Sequence, residues 1–135
     1  MIDWIDLKRM PVDVLLVDDD SVQAATRKAI LDRAGFSVAI APDGREALSF
    51  LASPDGLSVR MVVTDHLMPA MNGAEFVASL RAAGYRLPVL VLSGYADVEE
   101  QYDSLDVAFR LKPFPPDQLI ALVQYLLASA ERRTA

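Results

Sequence analysis

The chain has 135 residues, 53% of them hydrophobic, which fits one domain with one substantial core and leaves no room for a second domain of ordinary size. Its apolar residues come in short blocks, none near the ~20 residues of a membrane span, and its net charge of −6 argues against broad electrostatic binding to nucleic acid. There is no cysteine for a disulfide or thiolate metal site, and Met1 to Met10 lacks the apolar core of a secretory signal, so the composition points to the cytoplasm.

Residues 1–11 read as an N-terminal extension in which Trp4, Ile5 and Leu7 suit a short amphipathic turn, cut off by Pro11. The run Val12 to Val17 then reads as a buried strand ending in Asp18-Asp19-Asp20. From Ser21 the positions Val22, Ala25, Ala29 and Ile30 follow helical spacing up to Gly35. Ser37 to Ala41 gives a second strand, and a second helix starts near Gly44, where Asp43 and Glu46 are spaced as a capping box. It ends in the turn-rich Ser53-Pro54-Asp55-Gly56.

Met61-Val62-Val63 is apolar on both faces, as a strand covered on both sides must be, and it runs through Thr64 into Asp65. Pro69 and Gly73 prevent its continuation, and Phe76, Val77 and Leu80 mark a third helix that stops near Gly84. Pro88 to Leu92 forms a fourth strand leading into Ser93-Gly94-Tyr95-Ala96. Asp97 and Glu100 repeat the capping-box spacing ahead of a short acidic fourth helix with Val98, Tyr102 and Leu105 on one face. Val107 to Leu111 is a fifth strand, followed by Lys112-Pro113. Asp117 opens the last helix, with Leu119, Ile120, Leu122, Val123, Leu126 and Leu127 as its apolar stripe and residues 130–135 as a polar tail.

Strand and helix alternate five times. Parallel strands need crossovers, and crossovers are right-handed, so the pattern implies an α/β fold with a five-stranded parallel sheet and helices on both faces. Five units favour the flavodoxin-like order 2-1-3-4-5, which makes the first and third strands neighbours. Asp18, Asp19, Asp65, Ser93 and Lys112 then share the carboxyl edge of one sheet, where ligands collect in such folds.

Taken singly, each of these residues has an ordinary use, as a solvated turn, a turn hydroxyl or a surface lysine. Together they are reagents for one reaction. Two carboxylates about 4 Å apart repel by about 4 kcal/mol at an effective dielectric near 20, so three together require a proton or a cation. Mg²⁺ suits an all-oxygen site that keeps some water. Asp65 is then a nucleophile toward phosphorus, with Lys112 and the metal neutralising phosphoryl oxygens and Ser93 donating to one of them.

Leu16-Val17-Asp18-Asp19, Asp65-His66-Leu67-Met68-Pro69 with Asn72-Gly73, Leu92-Ser93-Gly94-Tyr95-Ala96, and Lys112-Pro113-Phe114 strongly resemble the receiver domain of two-component response regulators, including the chemotaxis type, over about residues 12–128. The resemblance implies a receiver over 12–129 in which Asp65 accepts phosphate from a histidine kinase or a histidine phosphotransfer protein. It implies Asp19, Asp65 and the Leu67 backbone carbonyl as direct Mg²⁺ ligands, Asp18 acting through water, and a cis Lys112–Pro113 bond. It makes Ser93 and Phe109 the switch pair that changes the surface of the fourth helix, fifth strand and last helix. The resemblance implies self-phosphotransfer and autodephosphorylation at Asp65, and Leu67 and Tyr95, flanking the site, are expected to limit the approach of water to the phosphoryl group.

Few residues follow the last helix, so the expectation is a receiver acting without an attached output domain, through a downstream protein or a phosphorelay, as a monomer or a phosphorylation-dependent dimer. The alternatives are a receiver cut from a hybrid histidine kinase and an interaction module that is not phosphorylated. Two features depart from the family pattern. The segment from Ser93 to Lys112 is short, so the fourth helix is expected to be short, tilted or partly unwound, and Ala70 stands where a glycine is common. His66 is expected to serve packing or substrate contact more than catalysis.

Overall fold

The structure, a computed structural model, describes residues 11–134. The amphipathic turn expected at Trp4, Ile5 and Leu7 lies outside these residues. Five strands form one parallel sheet: β1 (Val14–Val17), β2 (Val38–Ala41), β3 (Met61–Asp65), β4 (Val89–Ser93) and β5 (Ala108–Leu111), in the order β2-β1-β3-β4-β5. The expected order is therefore found. Its register sets Val17 beside Thr64, Asp65 beside Leu92, and Ser93 beside Leu111, so the polar residues closing each strand reach the same edge.

Alternate strand residues feed two cores. Val14, Leu16, Met61, Val63, Leu90 and Leu92 pack under helices α1 (Ser21–Arg33) and α4 (Pro116–Thr134), which contribute Leu31, Leu119, Val123 and Leu127. Leu15, Val17, Val62, Val89 and Val91 face helices α2 (Gly44–Ala52) and α3 (Gly73–Ala82), which bury Leu51, Phe76, Val77 and Leu80 against them. Each such side chain contributes about 1.5–3 kcal/mol of hydrophobic stabilisation, which is why the central strands carry no polar interruption before their ends.

Local sequence fixes the helix starts. The Asp20 carboxylate accepts from the amides of Val22 and Gln23, and Asp43 accepts from Glu46. Asn72 and Glu75 form a full capping box at α3, a signal of the same type that the sequence carries in Asn-Gly-Ala-Glu. Gly35 and Gly84, at φ +97° and +95°, let the chain turn away after α1 and α3, a conformation costly for residues with a Cβ.

Three expectations need correction. Helix α1 presents Ala24 and Leu31 to the core, whereas Val22 is 74% exposed and Ala25 and Ala29 face solvent, because docking of the Asp20-capped helix against the sheet sets its rotation. The fourth helix is short and not α-helical, in line with the short, partly unwound element expected: a seven-residue 3₁₀ helix, Ala96–Tyr102. The expected Asp97–Glu100 capping box does not form, because the N-cap position falls on Tyr95, with no side-chain bond. The short chain between Ser93 and Lys112 is taken up instead by Ser104 and Asp106 at φ +70° and +56° and by Val98, Tyr102 and Leu105 packing on the core. The last helix runs to Thr134, with no separate tail starting at residue 130. Among the described residues, no helix is long and apolar enough to cross a membrane.

Arg81 ties this compressed region down. Its guanidinium donates to the carbonyls of Tyr85, Leu87, Leu105 and Asp106, joining the α3–β4 turn to the entry of β5.

Candidate functional site

At the carboxyl edge, β1 delivers Asp18 and Asp19, β3 delivers Asp65, and the end of β5 delivers Lys112. Asp18 and Asp65 are 1% and 3% exposed, Asp19 is exposed, and carboxylate oxygens of all three lie within 4.8 Å of one another. The Lys112 Nζ stands 2.8 Å from Asp65 Oδ1. Lys112 is held there by its amide, which donates to the Ser93 carbonyl at 2.8 Å, and its bond to Pro113 is cis, as expected.

Two residues of the site were not foreseen. The Gln23 side-chain amide donates to Asp18 Oδ2 and Asp65 Oδ2, both at 2.8 Å. Arg27 Nη1 lies 3.1 Å from Asp18 Oδ2 and 3.2 Å from Asp65 Oδ1. Gln23 and Arg27 are one helical turn apart, so the α1 face that begins at the Asp20 cap places them together above the acids. Their spacing was available in the sequence, but the wrong rotation assigned to α1 concealed it.

The electrostatics follow from this crowding. The Asp18 carboxyl is pushed up to about 6, first by burial and then by its interaction with Asp65, although the Asp20 amide and Gln23 pull the other way. Arg27 and Lys112 supply two cations against three carboxylates. All potential metal donors are oxygens, and exposed Asp19 leaves one side open to water, so the donor set fits a hard divalent cation such as Mg²⁺.

Ser93 is buried at the end of β4, but its hydroxyl is engaged within its own turn, donating to the Tyr95 carbonyl and accepting from the Tyr95 amide. Leu67 and Tyr95 are exposed, at 69% and 58%. Phe109 lies on β5 in the core, its ring 5.8 Å from that of Tyr102. His66 is buried, and its Nδ1 is 2.6 Å from the Tyr102 hydroxyl, consistent with the packing role expected for it. Burial pushes the His66 imidazole down, and burial together with the Asp65 charge pushes the Tyr102 phenol well up. Both are therefore neutral near pH 7, and the hydroxyl and Nδ1 share one hydrogen bond whose direction follows the imidazole tautomer. Gly73 is required beside them, because a Cβ there would overlap the Tyr102 hydroxyl and the Asp65 carbonyl.

Ala70 sits at φ +66° in a three-residue turn closed by the Met71 amide on the Pro69 carbonyl. The replacement of a glycine is thus accommodated by a left-handed alanine in the turn after the site.

A family model described as response regulator receiver domain matches residues 14–124. The chain is 40% identical over 123 residues to "Response regulator MprA" of Mycolicibacterium vanbaalenii, covering 87% of this chain and 51% of that protein. It is 38% identical over 123 residues to the protein of the same name from Mycobacterium tuberculosis H37Ra, with the same coverage. The chain thus spans about half the length of the curated relatives it matches. Among solved structures, it superposes on the Francisella response regulator 1452 receiver domain with a TM-score of 0.79 at 29% identity, covering 92% of this chain and 99% of that one. The chemotaxis protein CheY4 of Vibrio cholerae gives 0.75 at 28%, covering 87% and 99%.

Proposed function

Because the chain belongs to the response regulator receiver domain family, we propose that Asp65 accepts a phosphoryl group from the phosphohistidine of a histidine kinase or phosphotransfer protein, in the presence of Mg²⁺. The observation that carries this proposal is Lys112 Nζ at 2.8 Å from Asp65 inside a cluster of three carboxylates. An Asp65 oxygen attacks phosphorus while the phosphorus–nitrogen bond of the donor breaks, and the electron pair leaves with the imidazole nitrogen. The product is a mixed anhydride on Asp65. Lys112 holds its charge against the transferring oxygens, and Asp18, Asp19, Asp65 and the Leu67 carbonyl would hold the metal, which would neutralise phosphoryl charge when bound.

The readout follows from the same edge of the sheet. On phosphorylation the Ser93 hydroxyl leaves its Tyr95 turn to donate to a phosphoryl oxygen, and Phe109 repacks into the space released. The surface of Ala96–Tyr102, β5 and α4 then changes its preference for a downstream protein. The phosphoryl group selects between two existing loop arrangements because it bonds to only one of them.

Incubation with acetyl phosphate and Mg²⁺, followed by intact mass measurement, tests the phosphoacceptor. The wild type is expected to gain the mass of one phosphoryl group, and Asp65→Asn is expected to gain none. An unmodified wild type, or an equal adduct in the variant, overturns the assignment.

A further inference from the structure

Both oxygens of Asp65 are already occupied. Oδ1 faces Lys112 and Arg27, and Oδ2 accepts from Gln23, which also holds Asp18. A single nitrogen of Arg27 bridges Asp18 and Asp65 at 3.1 and 3.2 Å, longer than the usual charge-assisted bond of about 2.7–2.9 Å, as expected where one donor is shared between two acceptors. The arginine side chain is itself only 11% exposed, so its charge is weakly screened and acts on the two acids at close range.

From this geometry we infer that Arg27 is a resident counter-cation that satisfies Asp18 and Asp65 at rest, so that a divalent cation binds only by displacing it. The inference rests on the metal site proposed above. Gln23 assists by clamping the same two carboxylates without charge. Arg27 thus acts through the acids as a positioning residue: it keeps two buried carboxylates together when no metal is bound, and it weakens the metal's affinity. Lys112 does not fill this role, because it contacts Asp65 and leaves Asp18 to Arg27 and Gln23.

Isothermal titration of MgCl₂ into the wild type, Arg27→Met and Arg27→Lys tests the competition, with urea unfolding in EDTA as a metal-free readout. Removing a nearby positive charge is expected to tighten Mg²⁺ binding by about tenfold or more in Arg27→Met, while Arg27→Lys stays near the wild type because its charge remains. In EDTA, Arg27→Met is expected to unfold at lower urea than the wild type, and the loss is expected to shrink when Asp65→Asn removes one of the charges it balances. Equal Mg²⁺ affinities in wild type and Arg27→Met overturn the role of Arg27 alone. Absence of binding in every variant overturns the metal site and this inference with it. If Arg27→Met folds only with Mg²⁺, the inference is supported. If it stays unfolded with Mg²⁺ as well, the arginine is a structural tie that metal cannot replace, and the inference fails.

Discussion

Removing one oxygen from Tyr102 tests how the short segment after Ser93 is anchored. The Tyr102 hydroxyl is hydrogen-bonded to His66 Nδ1 at 2.6 Å, and both residues are 5% exposed or less, so water cannot substitute for the bond. Tyr102→Phe retains the ring contacts with His66 and Phe109 and creates almost no cavity, leaving the imidazole nitrogen buried without its hydrogen-bond partner. A buried polar atom left unsatisfied costs about 1–3 kcal/mol, and the expected loss lies in that range. Replacing both partners is less harmful than the two single losses summed, because no orphaned atom remains. In the cycle with His66→Leu, the coupling is expected at about 1–2 kcal/mol. Urea unfolding of the four proteins measures it, and amide exchange at Ala96–Tyr102 should accelerate in Tyr102→Phe as the segment loses its anchor. A Tyr102→Phe protein within about 0.3 kcal/mol of wild type, or strictly additive variants, would refute the reasoning.

The same imidazole gives a pH dependence. Burial holds the folded pKa of His66 below the ordinary 6.5, so below that pH the unfolded chain takes up a proton that the folded one resists. Its contribution to stability is therefore complete above pH 6.5 and declines as pH falls toward the folded value; the difference in stability between wild type and His66→Leu, followed from pH 7.5 to 5, should change in that window, and a constant difference would contradict it. Arg81→Ala removes donors from four carbonyls at once and should cost about 2–3 kcal/mol in urea unfolding, with Arg81→Lys restoring less than half; full rescue by lysine would show that charge alone matters there. At Ala70, φ +66° predicts that Ala70→Val loses about 1–2 kcal/mol while Ala70→Gly stays within about 0.5 kcal/mol of wild type, and a stable valine variant would mean the turn is not constrained as described.

Much of the site was legible because of one rule of sheet geometry. An apolar run buried on both faces can end in a polar residue only where it leaves the sheet, and in parallel strands all those ends lie on one edge. Asp18, Asp65, Ser93 and Lys112 were therefore found together from spacing alone, with the strand order supplied by the count of strand–helix units. The strand ends lie where that rule put them, within one or two residues.

Helix rotation was not legible in the same way. In α1 the alanines at positions 24, 25 and 29 are equivalent by composition, and only docking against the sheet under the Asp20 cap chose Ala24 and Leu31 as the buried ones. That choice brought Gln23 and Arg27 over the acids. The fourth helix likewise had a helical pattern in Val98, Tyr102 and Leu105, but the distance left between β4 and β5 and the bond to His66 decided for a 3₁₀ turn. The sequence by itself determined the strand–helix alternation, the shared edge and the reagents on it, since these follow from local hydrophobic periodicity. Only the tertiary structure decided which helix face meets the site and how both Asp65 oxygens are occupied at rest, because those depend on contacts between residues far apart in the chain.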